Sequence, residues 1–564
     1  MKSKLFTATA LLLMLFVSIS IAQDYKIPET FVEAKADQVV SDRARDFLED
    51  KYQENGKIRI WVYFTDKGFS TEQEFIGKAQ DAYNSMTSRT IARRAKNNAA
   101  AITFKDLPVE TNYIEQIKAL GLHQRRVSKW LNAASFETTP DKLDLIKDLP
   151  FVKEIIPVAS IKNKYPADND IIEGDSESTR GNKLNYANSE GQLAMINVPA
   201  VHSLDYSGQG VIVAMFDTGF RKSHQAFADI MISGRLLAEH DFVFDDGQTA
   251  NEAQDVSDQW SHGTKTWSIL GGGWDGYIYG PAYGASFVLC KTEDTRSETA
   301  VEEDNWVAAA EWVDSIGVDV ISSSLGYLDW YTSSDFDGNT CATTIAADQA
   351  AQNGIVVCNS AGNEGSGSST IIAPADADSI ITVGAVYSSG TVTYFSSRGP
   401  TADGRTKPEV MAQGYDVTLA NYTSNTAMST GPGTSFSCPL VGGCAALILE
   451  AHPNWTVMQV REAMMMTADN AETPNNTYGW GIIDVLAAIN YSFFPFQKGD
   501  ANNDEVISIS DAVYIINYVF SSGPEPLPEE LAGDANDDDN VNVSDAIYIV
   551  NYIFLPGSPP PPGY

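Results

Sequence analysis

Residues 211–216 read Val-Ile-Val-Ala-Met-Phe, an unbroken apolar run entered through Gly208 and Gly210 and ended by Asp217-Thr-Gly. A run without alternation is the pattern of a strand buried on both faces, which places it in a parallel sheet covered by helices on either side. Asp217 then stands at the carboxyl end of that strand, where open α/β sheets form their ligand crevices. Three stretches far away in the chain supply partners for a carboxylate in that position: Ser-His262-Gly-Thr, Asn-Ser-Ala-Gly-Asn363 and Gly-Pro-Gly-Thr-Ser435-Phe-Ser-Cys-Pro.

A serine hydroxyl is a weak nucleophile at neutral pH. It needs an imidazole to take its proton and a carboxylate to fix the imidazole tautomer. The predicted roles are therefore nucleophile for Ser435, general base for His262 and orienting carboxylate for Asp217. Asn363 is the candidate side-chain donor to the oxyanion, beside the backbone N–H of Ser435. Pro439 suits a first helical turn, and an apolar helix follows it, so Ser435 falls near a helix N-terminus whose partial positive charge favours an oxyanion. Each stretch alone has an ordinary reading as a turn or capped loop, but together they fill every role an acyl-transfer site requires. The other histidines are His123, His202, His224, His240 and His452. His224 is the nearest rival base, and its Lys-Ser-His-Gln-Ala-Phe setting reads as a loop contact.

With these motifs, residues 190–492 resemble the catalytic domain of the subtilases, the subtilisin-like serine proteases of peptidase family S8. The resemblance implies an α/β domain, a mostly parallel sheet with helices on both faces, acting on polypeptide substrates. Ser322-Ser-Ser-Leu-Gly-Tyr327 is similar to the edge strand that pairs with an extended substrate, which makes Ser324, Leu325 and Gly326 substrate-binding candidates. Tyr394–Pro400 and Asp403–Pro408 match a further subtilase stretch. One departure is Trp267, bulky where the family has a small residue behind the base.

The N-terminus has the three parts of a secretory signal peptide: Met-Lys-Ser-Lys, an apolar stretch through Val17, and Ser20-Ile-Ala22 as the expected end of a segment covering residues 1–22. No later run is apolar enough to span a membrane, so the expected product is secreted. Residues 23–165 carry their own strand and helix patterns: a strand at Lys57–Phe64 and amphipathic helices at Thr111–Leu120 and Pro140–Leu149. This segment resembles a subtilase propeptide, a small α+β module; an ordinary extra domain is the competing reading. Residues 23–165 hold 23 basic and 21 acidic residues, a net of +2, whereas residues 166–497 hold 12 and 41, a net of −29. Docking of one on the other is electrostatically sensible. Residues 166–189, rich in Asn, Asp, Glu and Ser, are the expected cleavable linker.

A net charge of −36 argues against nucleic-acid partners, since binding phosphates needs clustered Lys and Arg. It fits calcium binding and a high-salt habitat equally. An acidic group (Glu293, Asp294, Glu298, Glu302, Glu303, Asp304) has two readings, a cation site or the acids expected at a helix start. Of the five cysteines, Cys438 and Cys444 share one helix about 9 Å apart along its axis and should not bond to each other. Cys341 with Cys358 is the expected bridge, and the odd count leaves at least one thiol free.

The C-terminus repeats itself with an offset of 34 residues: Asp500, Asn502, Asp504, Ser508 and Asp511 recur as Asp534, Asn536, Asp538, Asn542 and Asp545. Oxygen donors at loop positions 1, 3, 5, 9 and 12 match a calcium loop of EF-hand type, so two Ca²⁺ ions are expected here, and further ions in the catalytic domain stay open. Position 6 departs from the usual glycine, with Glu505 and Asp539. Each loop leads into an amphipathic helix, Ala512–Phe520 and Ala546–Phe554. Residues 497–560 resemble a type I dockerin, a small all-α calcium-binding domain. That resemblance implies a cohesin-bearing scaffold protein as partner, contacted through Ile509, Ser510, Val543 and Ser544; a module that only folds around calcium is the alternative. A short stiff extension, Pro559–Pro562, ends the repeat.

The expected protein is a secreted serine endopeptidase made as a zymogen and tethered through the dockerin-like unit. Two alternatives stand beside it: an inactive subtilase-fold binding protein, and a transacylating enzyme that hands the same acyl group to an amine.

Overall fold

The structure, a computed structural model, describes residues 25–159, 171–172, 184–296, 303–493, 497–504, 506–521, 523–527, 530–538, 540–555, 557 and 559–561. Residues 1–22, most of the 166–189 linker, Glu298, Glu302, Glu505, Asp539 and Pro562 lie outside them. The chain divides into two compact units, residues 1–489 and 490–564.

The first unit opens with an N-terminal module: α1 (Asp42–Asn55), β1 (Ile58–Phe64), α2 (Glu72–Ser85), α3 (Ser88–Lys96), α4 (Thr111–Ala119), β2 (His123–Ser128), β3 (Ala133–Thr138), α5 (Leu143–Lys147) and β4 (Val152–Pro157). Its four strands form an antiparallel sheet in the order β2-β3-β1-β4. The expected strand at 57–64 and helix at 111–120 are present. The expected helix at 140–149 is instead a 3₁₀ turn at Pro140–Lys142 leading into the short α5. α2 and α3 are an excursion between β1 and α4 that the apolar pattern does not announce.

The core of the unit is a seven-stranded sheet made of β6 (Ile212–Asp217), β7 (Leu236–Asp241), β8 (Ser286–Lys291), β9 (Val320–Ser323), β10 (Val356–Ser360), β11 (Ile381–Val386) and β12 (Val410–Gln413). Their spatial order is β12-β11-β10-β9-β6-β8-β7, and every pair is parallel. All six residues of β6 are buried, as its unbroken apolar pattern requires. α7 (Glu303–Ile316) and α8 (Ala342–Gln352) pack on the face carrying Ala214, Phe216, Ile321 and Val357. α6 (Ser261–Gly271) and α9 (Thr434–Ala451) pack together, with α9 lying along β9 to β12. α9 is long and apolar enough to cross a membrane, but it is buried over nearly its whole length and serves as the core helix.

A smaller antiparallel sheet joins β5 (Ile171–Ile172), β13 (Val417–Ala420) and β14 (Met428–Gly431), with β14 in the middle. Residues 171–172 thus lie against the chain just before Ser435, and Ala187–Ser189, assigned to the linker on sequence, fold as a 3₁₀ turn with Ser189 buried. α10 (Val457–Met466) follows α9.

One apolar cluster runs without a break from Trp61, Trp130 and Leu131 of the module through Val158 and Ala159 to Trp306, Val307 and Ala310 of α7. Fully burying each large apolar side chain there is worth about 1.5–3 kcal/mol.

The expected Cys341–Cys358 bridge is not formed: all five cysteines are free and buried. Side chains alternate along a strand, and Val357 joins the cluster that holds Cys341 whereas its neighbour Cys358 points through the other face of the sheet. Cys341 caps α8 and its thiol meets the Asp335 carbonyl.

In the second unit, α11 (Ile509–Ser521) and α12 (Val543–Phe554) pack around Ala501, Ala512, Ile515, Ala535, Ala546 and Ile549. Each of these helices begins three residues before the expected Ala512 and Ala546.

Candidate active site

Asp217 is the last residue of β6, His262 the second of α6, Ser435 the second of α9, and Asn363 lies in the loop after β10. Asp217 is fully buried and its Oδ1 is 2.8 Å from His262 Nδ1. Two further donors hold the carboxylate: the Thr218 N–H at 2.7 Å and the Thr266 hydroxyl, to Oδ2, at 2.8 Å. Thr266 was missed on sequence; its signal is the spacing of four from His262, which puts both on one face of α6. The close fit of α6 on β6 requires Gly263, because a Cβ there would lie 2.2 Å from the Gly219 carbonyl oxygen.

Ser435 Oγ donates to the Ser324 carbonyl at 3.2 Å, and the Ser324 hydroxyl returns a bond to the Ser435 carbonyl at 2.8 Å. The oxygen of the Asn363 amide accepts from both the N–H and the hydroxyl of Thr434, each at 3.0 Å. Those two bonds fix which end of the amide is the oxygen, so the NH₂ end turns away from Thr434. Thr434 is a second orienting residue not singled out on sequence. The stretch Tyr394–Pro400 packs here too: the Ser397 N–H reaches the Gly362 carbonyl at 3.0 Å, and its hydroxyl accepts from the Glu364 N–H at 3.1 Å.

Ser322 and Ser323 differ from expectation, being part of β9 in the interior of the sheet, between β10 and β6. Only the segment from Ser324 onward projects past the sheet. The Leu325 carbonyl accepts from Asn359 Nδ2 at 3.1 Å, and Tyr327 N–H reaches the Ala373 carbonyl at 2.8 Å.

Trp267 fills the space behind the base: it is fully buried, stacks on Phe227 with centroids 3.7 Å apart, and meets Phe220 and Phe287 edge-on. His224 is a structural residue, its Nδ1 accepting from Ala226 N–H and its Nε2 facing the Ala427 carbonyl. Burial pushes His224 and His202 down to about 4, so both are neutral near pH 7. Burial also raises all five thiols, Cys438 to about 12, which leaves them protonated and unreactive.

The described members of the 293–304 acidic group are engaged by protein donors. Glu293 accepts from Tyr327 at 2.6 Å, Asp294 pairs with Arg296, and Asp304 accepts from Arg125 and Ser135. Glu303 accepts from Trp61 Nε1 at 3.0 Å, Ala159 N–H at 3.3 Å and the Tyr331 hydroxyl at 2.6 Å, and burial pushes its carboxyl up to about 7. A convergence not foreseen on sequence joins Asp241, Asp246 and Glu252, with the Lys291 ammonium paired to Asp241 at 2.7 Å.

In the second unit the carboxylates of Asp500, Asp504 and Asp511 offer oxygens within 4.8 Å of one another, as do those of Asp534, Asp538 and Asp545. Asn502 and Asn536 accept from the N–H groups of Asp504 and Asp538. Ser508 and Asn542 close each loop onto Asp511 and Asp545 through their own N–H, both at 2.8 Å. Burial, together with the neighbouring carboxylates, raises Asp511 and Asp545. Three hard anionic oxygens converging in each loop are a donor set that fits Ca²⁺. In the second loop Lys498 also pairs with Asp534.

Residues 208–481 match the family model described as the subtilase family, and residues 59–170 match the peptidase S8 propeptide domain of Bacteroidota. Subtilisin E of Bacillus subtilis (strain 168) is 36% identical over 299 residues, 52% of this chain and 70% of that one. Subtilisin of Bacillus pumilus is 34% identical over 52% of this chain and 97% of its own. The extracellular serine proteinase of Thermus sp. (strain Rt41A) is 32% identical over 48% and 57%. Among solved structures, fervidolysin from Fervidobacterium pennivorans, described as a keratinolytic enzyme related to subtilisin, superposes with a TM-score of 0.54 at 20% identity. That likeness covers 79% of this chain and 64% of fervidolysin, under two thirds of its length, and it bears on the fold alone.

Proposed function

Because the chain belongs to the subtilase family and carries a propeptide domain of that family, we propose that it is a secreted serine endopeptidase made as a zymogen. The observation that carries this reading is the His262–Asp217 bond of 2.8 Å at the carboxyl end of β6, with Ser435 and Asn363 brought to the same end of the sheet by the start of α9 and the loop after β10. His262 takes the Ser435 proton as Oγ bonds to the scissile carbonyl carbon. The hydroxyl rests on the Ser324 carbonyl, so substrate binding has to redirect it toward the base. Negative charge collects on the former carbonyl oxygen and is met by the Asn363 NH₂ and the Ser435 N–H. His262 passes its proton to the leaving amine; water then opens the acyl-enzyme by the same route and restores Ser435. Ser324, Leu325 and Gly326 hold the substrate backbone. Secretion is supported by the signal-like segment 1–22 and by the extracellular relative.

Processing falls between Ala159, docked on Glu303, and Tyr186, already folded into the catalytic region. The second unit is read as a dockerin-type module in which Asp500, Asn502, Asp504, Ser508 and Asp511, with their counterparts 34 residues on, hold two Ca²⁺ ions. Ile509, Val513, Ile516 and Phe520 of α11, and Val543, Ile547, Val550 and Phe554 of α12, form matching exposed apolar stripes, which supports docking to a cohesin-bearing partner.

Intact mass of residues 23–564 followed over time, with Ser435 and as Ser435→Ala, tests the reading. Loss of an N-terminal fragment from the parent alone supports it, with each cut adding one water. Joined peptides would point to transacylation. If neither chain is cut, and neither degrades an unfolded protein after the module is removed, the peptidase reading fails.

A further inference from the structure

Two glycines line the space beside Ser435, and one side chain reaches both. For Ser435 Oγ to bond to a carbonyl carbon whose oxygen turns to the Asn363 NH₂, the chain on the amino side of that carbon has to run along Ser324–Gly326. The side chain of the residue that carries the carbonyl is then directed between the 324–326 segment and the loop that holds Asn363. Gly326 belongs to the first of these walls and Gly362 to the second. A Cβ at Gly326 would lie 2.5 Å from Ile372 Cδ1, and one at Gly362 would lie 3.1 Å from Ile372 Cγ1. Ile372 is thus pressed against the bare backbone of both walls.

Ile372 is only 3% exposed, and Gly326 and Gly362 are buried, so protein atoms already take up the room between the two walls. The segment that carries this side chain is tied on both sides. The Ser369 and Thr370 N–H groups reach the Gly399 and Arg398 carbonyls at 3.0 and 2.8 Å, and the Tyr327 N–H reaches the Ala373 carbonyl at 2.8 Å. The Ala375 N–H closes a turn on the Ile372 carbonyl at 2.8 Å, and Ile371 packs with Ala361 and Ala375. Branched at Cβ, Ile372 has few rotamers into which to swing aside.

We propose that Ile372 is a specificity-determining residue that closes this space to all but small side chains, so that the chain cuts after glycine, alanine or serine. The proposal rests on the reading of the site as a peptidase and names its substrate class. A benzyl or isobutyl group would have to displace a tethered segment from a close-packed interior. Held off the 324–326 backbone instead, the substrate would leave its carbonyl carbon short of Ser435 Oγ, and misplacement of that kind is costly in rate.

The test uses the full Ser435 chain, left to process itself. Peptides released from an unfolded protein are read by mass spectrometry, and kcat/KM is measured on two blocked tetrapeptide p-nitroanilides that differ only in the last residue, alanine or phenylalanine. Cuts are expected after glycine, alanine and serine, and kcat/KM is expected to favour alanine by about 30-fold or more. Cuts after large apolar residues, with phenylalanine taken as readily as alanine, overturn the proposal and leave the peptidase reading standing. An unfolded protein left whole overturns both. Ile372→Ala, shown by its thermal transition to fold, is expected to lower the alanine-to-phenylalanine ratio by about tenfold or more. Should that variant not fold, Ile372→Val, which removes a single methylene, is expected to lower the ratio several-fold. A ratio unchanged in whichever variant folds overturns Ile372 as the determinant.

Discussion

Glu303 gives the docking of module on catalytic region a pH dependence that can be calculated. It is fully buried among Trp61, Ala159 and Tyr331, with Asp304 next to it and Tyr63 and Cys341 close enough to feel its charge. Burial is the largest influence and raises the carboxyl from 4.5 to about 7. The folded state therefore holds a proton that the unfolded state gives up. The stabilisation is complete below 4.5 and is lost as pH rises through about 7. A shift of about 2.5 units, at 1.36 kcal/mol per unit, corresponds to about 3 kcal/mol. Glu303→Gln fixes the neutral form: its oxygen keeps Trp61 and Ala159, and its NH₂ faces Tyr331. Urea unfolding of the Ser435→Ala chain and of the same chain with Glu303→Gln, followed by tryptophan fluorescence from pH 4.5 to 8, measures the difference. The variant's stability relative to the parent is expected to rise by about 3 kcal/mol across that range. A constant difference between the two curves would refute the reasoning and mean that Glu303 stays charged in the folded protein.

Asn363→Ala is expected to lower kcat on a small peptide substrate by about 10²–10³ with little change in KM, the magnitude subtilisin itself provides for one oxyanion donor. It should also cost about 1–3 kcal/mol of stability, because the Thr434 N–H loses its acceptor while the hydroxyl keeps the Gly362 carbonyl. Asp511→Ala and Asp545→Ala are each expected to reduce the calcium stoichiometry of the full chain, measured by calorimetry, by one ion while leaving kcat unchanged.

The geometry of the candidate site is legible in the sequence because its signals are local. The apolar run of β6 ends on Asp217, and the Gly-Thr-Ser stretch opens α9. The two acidic loops likewise announce themselves by spacing. What escapes is everything settled between distant segments. Ser-Arg-Thr-Ile-Ala-Arg-Arg-Ala-Lys, the sequence of α3, carries no local signal of burial, and Asp314, more than 200 positions away, makes Arg93 and Arg94 interior residues. The interior position of Ser322 and Ser323 follows from strand order, which no single strand encodes. The same holds for Cys358, whose face of the sheet decides against the bridge that residue types alone suggested.

The acids that open α7 illustrate this further. On sequence they have two sufficient readings, a helix dipole or a cation, and the structure supplies a third. Glu303, Asp304 and Asn305 receive Trp61, Arg125 and Arg126 of the module. From there bonded contacts lead into the site. Asn305 Nδ2 donates to the Thr292 carbonyl at 3.1 Å, and the Thr292 N–H donates to the Asp217 carbonyl at 2.9 Å. Trp306 Nε1 reaches the Ser323 hydroxyl at 3.0 Å, one residue before the carbonyl on which Ser435 rests. The module thus grips α7 at both ends, and the first turn of that helix buttresses the strand that ends on Asp217 and the segment beside Ser435. Without the module, Glu303 loses Trp61 and Ala159 and keeps the Tyr331 hydroxyl, while Asp304 loses Arg125 and Ser135 and Glu311 loses Ser128 and the Trp130 N–H, a loss that weighs most in a low-dielectric interior. Assembly of the candidate site and docking of the module are therefore two uses of one helix, which is why the module is built so deeply into the fold of the region that follows it.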